Sequence, residues 1–326
     1  MYQNNLKSFG YYNIDVSLYQ YYADRGAIVK KVNMIIWLCL MTLSANQISN
    51  YKIINRCYVD SNGINMSALR EFDIDGMSKV WSVDTETLDT IVVDANQSYL
   101  PQCLESNYSR LLKESIEAPF PLQNDGIVST VDTPTITTDL CPSSKSGFEE
   151  EFYCGLMRSF PTPVPVTVFI TGRWIEKHDR EWSMLKAWDR DGNLSITWGN
   201  HTYTHPYHPQ KPLAENFVLS NDYNLTEDIL ALEQKLLSDE VVPSIFFRFP
   251  GLVSDKYSME IVARLGLVTI GSNTWIAKGE PIKQNSIILL HGNKNEHRGI
   301  DMFQKLLVDT NLTKVDSISR QLMKKR

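Results

Sequence analysis

The stretch Trp198-Gly199-Asn200-His201-Thr202-Tyr203-Thr204-His205-Pro206 decides how the chain is read. It closes an apolar run, Leu194 to Trp198, with two imidazoles four positions apart. Pro206 pushes His205 away from helical geometry, so the pair belongs on a loop or short irregular turn at a strand end, where both rings can converge on a metal ion. No Glu stands at 202, which excludes the helical zinc-protease pattern of two histidines with a catalytic glutamate between them. Taken alone, the pair also fits two structural or surface histidines that lie close by chance. His178, at a helix end, and His208, between prolines, read as bland.

Outward from this point, the same texture extends from about residue 126 to the end. Short apolar runs alternate with helical patterns, as in an α/β layer or barrel. The expected strands are Thr135 to Thr138, Val166 to Ile170, Leu194 to Trp198, Ile245 to Arg248, Leu267 to Ile270 and Ile287 to Leu290. Between them, residues 226–237 place Ile229, Leu232, Leu236 and Leu237 on one helical face, with Thr226 as N-cap, and Tyr257 to Leu265 reads as a helix stopped by Gly266. Polar motifs fall just after several strands, at the end where parallel barrels collect their chemistry. Ile136-Thr137-Thr138-Asp139-Leu140-Cys141-Pro142 ends a strand with a carboxylate that can act as a base or cap a turn. Phe246-Phe247-Arg248-Phe249-Pro250-Gly251 carries a cation out of an apolar strand, where it needs a carboxylate partner. Ile287-Ile288-Leu289-Leu290-His291-Gly292 sets an imidazole at a buried strand end.

The remainder bounds the protein class. The 326 residues are 43% hydrophobic and 21% charged, enough for a large core in one or two domains. A net charge of -6 supplies no broad cationic surface, which excludes unspecific nucleic-acid binding. No apolar run reaches the roughly 18 residues a bilayer-spanning helix needs. Lys30 and Lys31 before Val32 to Leu43, then Ser44 and Ala45, follow signal-peptide grammar, so the protein is expected to be exported, periplasmic or secreted. Such a signal would begin late, and translation is expected to start near Val29, leaving residues 1–28 outside the fold. The chain then divides into residues 1–45, an upstream extension and signal; 46–125, a region with strand-like runs such as Thr90 to Val93 and no evident chemistry; and 126–326. Within 46–125, Arg70 to Asp75 reads as solvated surface. Outside the signal, Cys57, Cys103, Cys141 and Cys154 allow two disulfides in three connectivities, or buried free thiols.

In this order, an Asp, a His pair, an Arg and a His resemble the polysaccharide deacetylases of carbohydrate esterase family 4, over about residues 132 to 308. Val166-Thr167-Val168-Phe169-Ile170-Thr171-Gly172 is similar to the family's strand after its first motif, and Gly199-Asn200-His201-Thr202 with His205 to its metal motif. The resemblance implies an α/β fold, a distorted (β/α)7 barrel with an N-terminal extension, whose groove lies at the C-terminal strand ends. It also implies a divalent metal, zinc by preference, held by His201 and His205. Asp139 would be the base that deprotonates the attacking water, Arg248 would hold Asp139 ionised and oriented, the metal would stabilise the oxyanion, and His291 would protonate the departing amine. Trp275, Pro250 and Gly251 would line the substrate groove.

Three departures from the family pattern stand out. Leu140 occupies the place of the carboxylate that completes the metal site, which implies weaker metal binding, a substitute ligand such as Asp132 or Glu149 to Glu151, or ligation by Asp139 itself with another group as the base. Thr274 replaces the Asp that tunes the acid histidine, leaving Asp255 or Glu296 as partners for His291. Gly251 comes one position early, with Leu252 at the expected glycine. The implied function is metal-dependent removal of N-acetyl groups from a cell-envelope or extracellular glycan, a hydrolysis of linear amide rather than peptide bonds. A catalytically impaired carbohydrate-binding homologue and an O-acetyl esterase are the alternatives.

Overall fold

The computed structural model describes residues 46–309 and 312–324; the expected signal and the region upstream of it lie outside them. Residues from Asn46 onward belong to one compact unit built on two sheets.

The first sheet is an antiparallel meander of β1 (Ile48–Val59), β2 (Asn65–Ile74), β3 (Met77–Asp84) and β4 (Thr90–Asp94). The second has seven parallel strands in the order β10-β11-β5-β6-β7-β8-β9: β5 (Thr135–Leu140), β6 (Val164–Ile170), β7 (Leu194–Asn200), β8 (Phe246–Phe247), β9 (Val268–Thr269), β10 (Thr274–Trp275) and β11 (Ile287–His291). This curled sheet stays open, because β9 and β10 do not pair with one another. Six of its strands overlap the apolar runs of the sequence. The seventh, β10, is two residues long, too short to show a period.

The helices are α1 (Asn107–Glu114), α2 (Glu150–Ser159), α3 (Gly172–Lys177), α4 (Asp179–Arg190), α5 (Leu225–Ser238), α6 (Lys256–Arg264), α7 (His297–Asp309) and α8 (Ile318–Met323). Helix α5 buries Ile229, Leu232, Leu236 and Leu237 as its spacing predicts, but its N-cap is Asn224, whose side chain accepts from the Glu227 N–H, and not Thr226. Helix α6 begins at a reciprocal capping box between Asp255 and Ser258, which occupies the Asp255 carboxylate.

The two sheets share a core. Leu69, Phe72, Trp81 and Val83 of the meander pack in one cluster with Ile229 and Leu237 of α5, Phe246 and Phe247 of β8, and Val268 of β9. Across this seam Arg70 of β2 grips Glu233 of α5 through Nε–Oε2 (2.8 Å) and Nη2–Oε1 (2.9 Å), both side chains fully buried, and the Tyr51 hydroxyl donates to the same carboxylate at 2.9 Å. The acidic side chains of the Arg70-to-Asp75 stretch reach solvent, Glu71 and Asp73 in part and Asp75 fully, and only Arg70 and Phe72, on the other face of β2, depart from the expected solvated surface by turning to the seam. A buried guanidinium needs such a bidentate partner, which the sequence places 163 residues away. Cys57 and Cys103 form the one disulfide among the described residues, and Cys141 and Cys154 are free thiols.

Candidate active site

The site grows from register. Parallel pairing of β11 with β5 sets His291 opposite Asp139, and pairing of β5 with β6 sets Asp139 opposite Phe169. The pleat of β5 alternates its side chains, so Thr137, Asp139 and the following Cys141 turn one way. Thr138 and Leu140 turn the other way, Thr138 to the Tyr153 hydroxyl at 3.0 Å and Leu140 into the cluster containing Tyr153.

Arg248 leaves β8 fully buried. Its Nη1 donates to Asp139 Oδ1 (2.8 Å) and Thr137 Oγ1 (2.7 Å), Nη2 to the Gly271 carbonyl (3.0 Å) and Nε to the Ile270 carbonyl (3.3 Å). The Phe169 ring supports the guanidinium from one face, 4.2 Å from its carbon. Gly199 makes this possible: a Cβ there would stand 2.5 Å from the Phe169 ring. Burial disfavours ionisation of Asp139, but Arg248, followed by His201 and His291, outweighs it and holds the carboxyl below its usual range. Arg248 lies behind the cleft with its donors engaged. From there it positions Asp139.

The histidine loop is held by side-chain bonds rather than by helix. The Asn200 side chain accepts from the Thr202 N–H (2.9 Å) and donates to the Ile229 carbonyl (3.1 Å), Thr202 Oγ1 accepts from the His205 N–H (3.1 Å), and Asp228 of α5 accepts from the Thr204 N–H and hydroxyl (2.9 and 3.1 Å). Thr202 and His205 both adopt left-handed backbone, φ +65° and +47°, a strain that non-glycine residues sustain where surrounding bonds fix the loop.

His201 Nδ1 lies 2.7 Å from the Arg248 carbonyl, which can only accept, so Nδ1 carries the proton and Nε2 is left to face Cys141 Sγ at 3.6 Å and Asp139 Oδ2 at 3.7 Å. His205 Nε2 is buried without a hydrogen-bond partner among the described residues. One ligand atom from each of Cys141, His201 and His205 falls within 4.8 Å of the others. A buried, unpartnered imidazole nitrogen beside a second imidazole and a thiol is a donor set suited to a metal ion. Burial opposes ionisation of Cys141, and His205, His201 and His291 overcome it, placing the thiol well below its ordinary range. The substitute ligands expected from sequence are corrected: Asp132 is bound by Lys324 and Glu149 by His297, and neither they nor Glu150 and Glu151 belong to this group. Strand alternation is the signal that finds Cys141, since it follows Asp139 by two.

Across the cleft, His291 Nδ1 meets Glu296 Oε2 at 2.8 Å, and Trp275 Nε1 donates to the same oxygen at 2.8 Å. Burial works against charge on His291, but the Cys141 sulfur and Glu296 carboxylate prevail and push the imidazole up to about 10. Of the two partners expected in place of the missing aspartate, Glu296 is the one present; Thr274 instead bonds Ser286 at 2.7 Å. Asp139, Cys141, His201, His205, Trp275 and His291 all line one cleft of about 550 Å3. Gly251 and Leu252 form part of its wall, both in left-handed backbone at φ +63° and +58°, so the shifted glycine leaves the local turn in place and adds an aliphatic side chain to the wall. Pro250 is buried behind the cleft and does not line it, which corrects its expected contact with substrate.

Residues 161–270 match the family model described as polysaccharide deacetylase. Over that segment the chain is similar to a polysaccharide deacetylase domain. The matched segment holds His201, His205 and Arg248, and the paired strands β5 and β11 add Asp139 and His291 to the same cleft. Among solved structures, the chain is similar to a family 4 carbohydrate esterase from Bacillus anthracis, with 18% identity over 68% of this chain and 94% of that one and a TM-score of 0.45. It is similar also to a family 4 carbohydrate esterase from Streptomyces lividans in complex with acetate, with 16% identity over 55% and 90% and a TM-score of 0.38. A third similar structure is a family 4 pseudoenzyme from Bacillus anthracis, with 17% identity over 60% and 68% and a TM-score of 0.38.

Proposed function

We propose that the protein is an exported, metal-dependent hydrolase that removes N-acetyl groups from a cell-envelope or extracellular glycan. The observation that carries this reading is the arrangement of an ionised carboxylate, a metal-binding donor group and a protonated imidazole around one cleft. His201 and His205 would hold a divalent ion, which would supply water of lowered pKa and polarise the acetamide carbonyl. Asp139, kept ionised by Arg248, takes the proton from the attacking water. His291, charged through Glu296, donates a proton to the nitrogen as the C–N bond breaks, because an amine anion is a prohibitively poor leaving group. Acetate and a free amino sugar result. The Trp275 indole, fixed by Glu296 beside the His291 ring, walls the acetyl side. Export is supported by the signal-like segment and by the Cys57–Cys103 disulfide, a bond that persists in oxidising compartments.

The test is acetate release from an N-acetylated oligosaccharide with and without added zinc. Zinc-dependent release is expected, falling by at least about a hundredfold in Asp139→Asn. Binding of the oligosaccharide without acetate from the zinc-loaded protein would overturn the enzyme reading, and release only from O-acetylated substrates would make it an esterase.

A further inference from the structure

We propose that Cys141 is a metal ligand, so that the site binds its ion through one thiolate and two imidazoles instead of the carboxylate and two histidines the family pattern leads one to expect. The inference rests on the metal-dependent reading above and concerns which atom completes the donor set.

The sequence alters two adjacent positions together. Leucine at 140 removes a carboxylate, and strand alternation carries position 140 into the core while 141 turns to the cleft. The Cys141 backbone is pinned there by the buried Asn293 amide, which donates to its carbonyl at 2.8 Å. The spacing is that of a coordination edge: zinc bonds of about 2.3 Å to sulfur and 2.0–2.1 Å to nitrogen, at a tetrahedral angle, separate the two donors by about 3.6 Å. Cys141 Sγ and His201 Nε2 stand 3.6 Å apart.

A plain S–H···N hydrogen bond to His201 gives a similar distance but leaves His205 Nε2, buried and unpartnered, unexplained. One ion held between them would give all three atoms, which lie within 4.8 Å of one another, a partner. The outer partners also fit, since His201 donates its other ring N–H to the Arg248 carbonyl, the bond that orients a ligating imidazole and fixes its tautomer. Asp139 lines the same cleft as these three residues, and water and substrate would reach an ion held there from that cleft. A thiolate among the ligands selects thiophilic ions such as zinc and cobalt over magnesium, calcium and manganese.

Metal-stripped protein, kept reduced and reloaded with cobalt(II), tests this without any activity measurement. One equivalent of cobalt is expected, with a near-ultraviolet sulfur-to-cobalt charge-transfer band. Cys141→Ser should abolish the band and weaken zinc binding at least about a hundredfold. Cys154→Ser, which alters the other free thiol, should keep both. Cys141→Asp should restore one equivalent of metal without the band, and a folded Cys141→Asp keeps the comparison available if the serine variant does not fold. Cobalt binding by the unaltered protein without the band, a band lost in Cys154→Ser, or full zinc affinity in Cys141→Ser would each overturn the assignment. A thiolate-bound protein that releases no acetate would keep this proposal and remove the deacetylase reading; acetate release from a site without thiolate character would do the reverse.

Discussion

Glu296 accepts from both Trp275 and His291, so one carboxylate adds to the Cys141 sulfur in keeping the acid charged and also orients the aromatic wall. Replacing it with glutamine keeps an acceptor but removes the charge, and the His291 pKa should fall from about 10 toward the ordinary imidazole value near 6.5. The acid must be protonated to act, so the alkaline limb of kcat/KM should move down by at least about one pH unit in Glu296→Gln. An unmoved limb would remove His291 from the acid role. The same shift bears on stability: a pKa raised by folding favours the folded state fully below about 6.5 and loses that contribution as pH climbs toward 10. The Asp139–Arg248 contact was legible as an unpaired cation in need of a carboxylate, because burying charge alone is costly. Cys141 was not, because a residue-by-residue template points to 140 and only the pleat of β5 redirects attention to its neighbour.

At the level of elements, the parallel sheet was readable because each buried strand is an apolar run ending in a polar motif, and register then brings those ends together. Strands β8, β9 and β10, two residues each, are defined by pairing and not by their own pattern, so their bounds and, for β10, its presence were not legible. Where β7 pairs with β6, at Gly199 opposite Phe169, contact distance becomes functional. Gly199→Ala would drive a methyl into the Phe169 ring that supports Arg248, with an expected cost of about 1–3 kcal/mol in denaturant unfolding. The variant should also lose kcat more than it raises KM, since Asp139 is oriented through that stack. Unchanged unfolding and unchanged kcat would mean that β6 yields freely at this point.

Across the whole molecule, the role of residues 46–125 was hidden because its partners lie far along the chain. No local pattern announces a salt bridge between Arg70 and Glu233. Breaking it one-sidedly with Arg70→Met strands a buried carboxylate, and a loss of about 3–5 kcal/mol is expected by chemical denaturation. The double variant Arg70→Met with Glu233→Leu should recover much of that, because desolvation of both charges is then avoided. Opening the Cys57–Cys103 disulfide should cost about 4 kcal/mol by loop entropy across its 46-residue separation, read as a lower unfolding midpoint in reductant. Helix α5 joins these layers. Its Glu233 anchors the meander while its Asp228 ties down the histidine loop. Cutting the gene at residue 126 would therefore bare the greasy underside now capped by Leu69, Phe72, Trp81 and Val83, and the shortened product is expected to pellet on lysis instead of yielding a free-standing catalytic module.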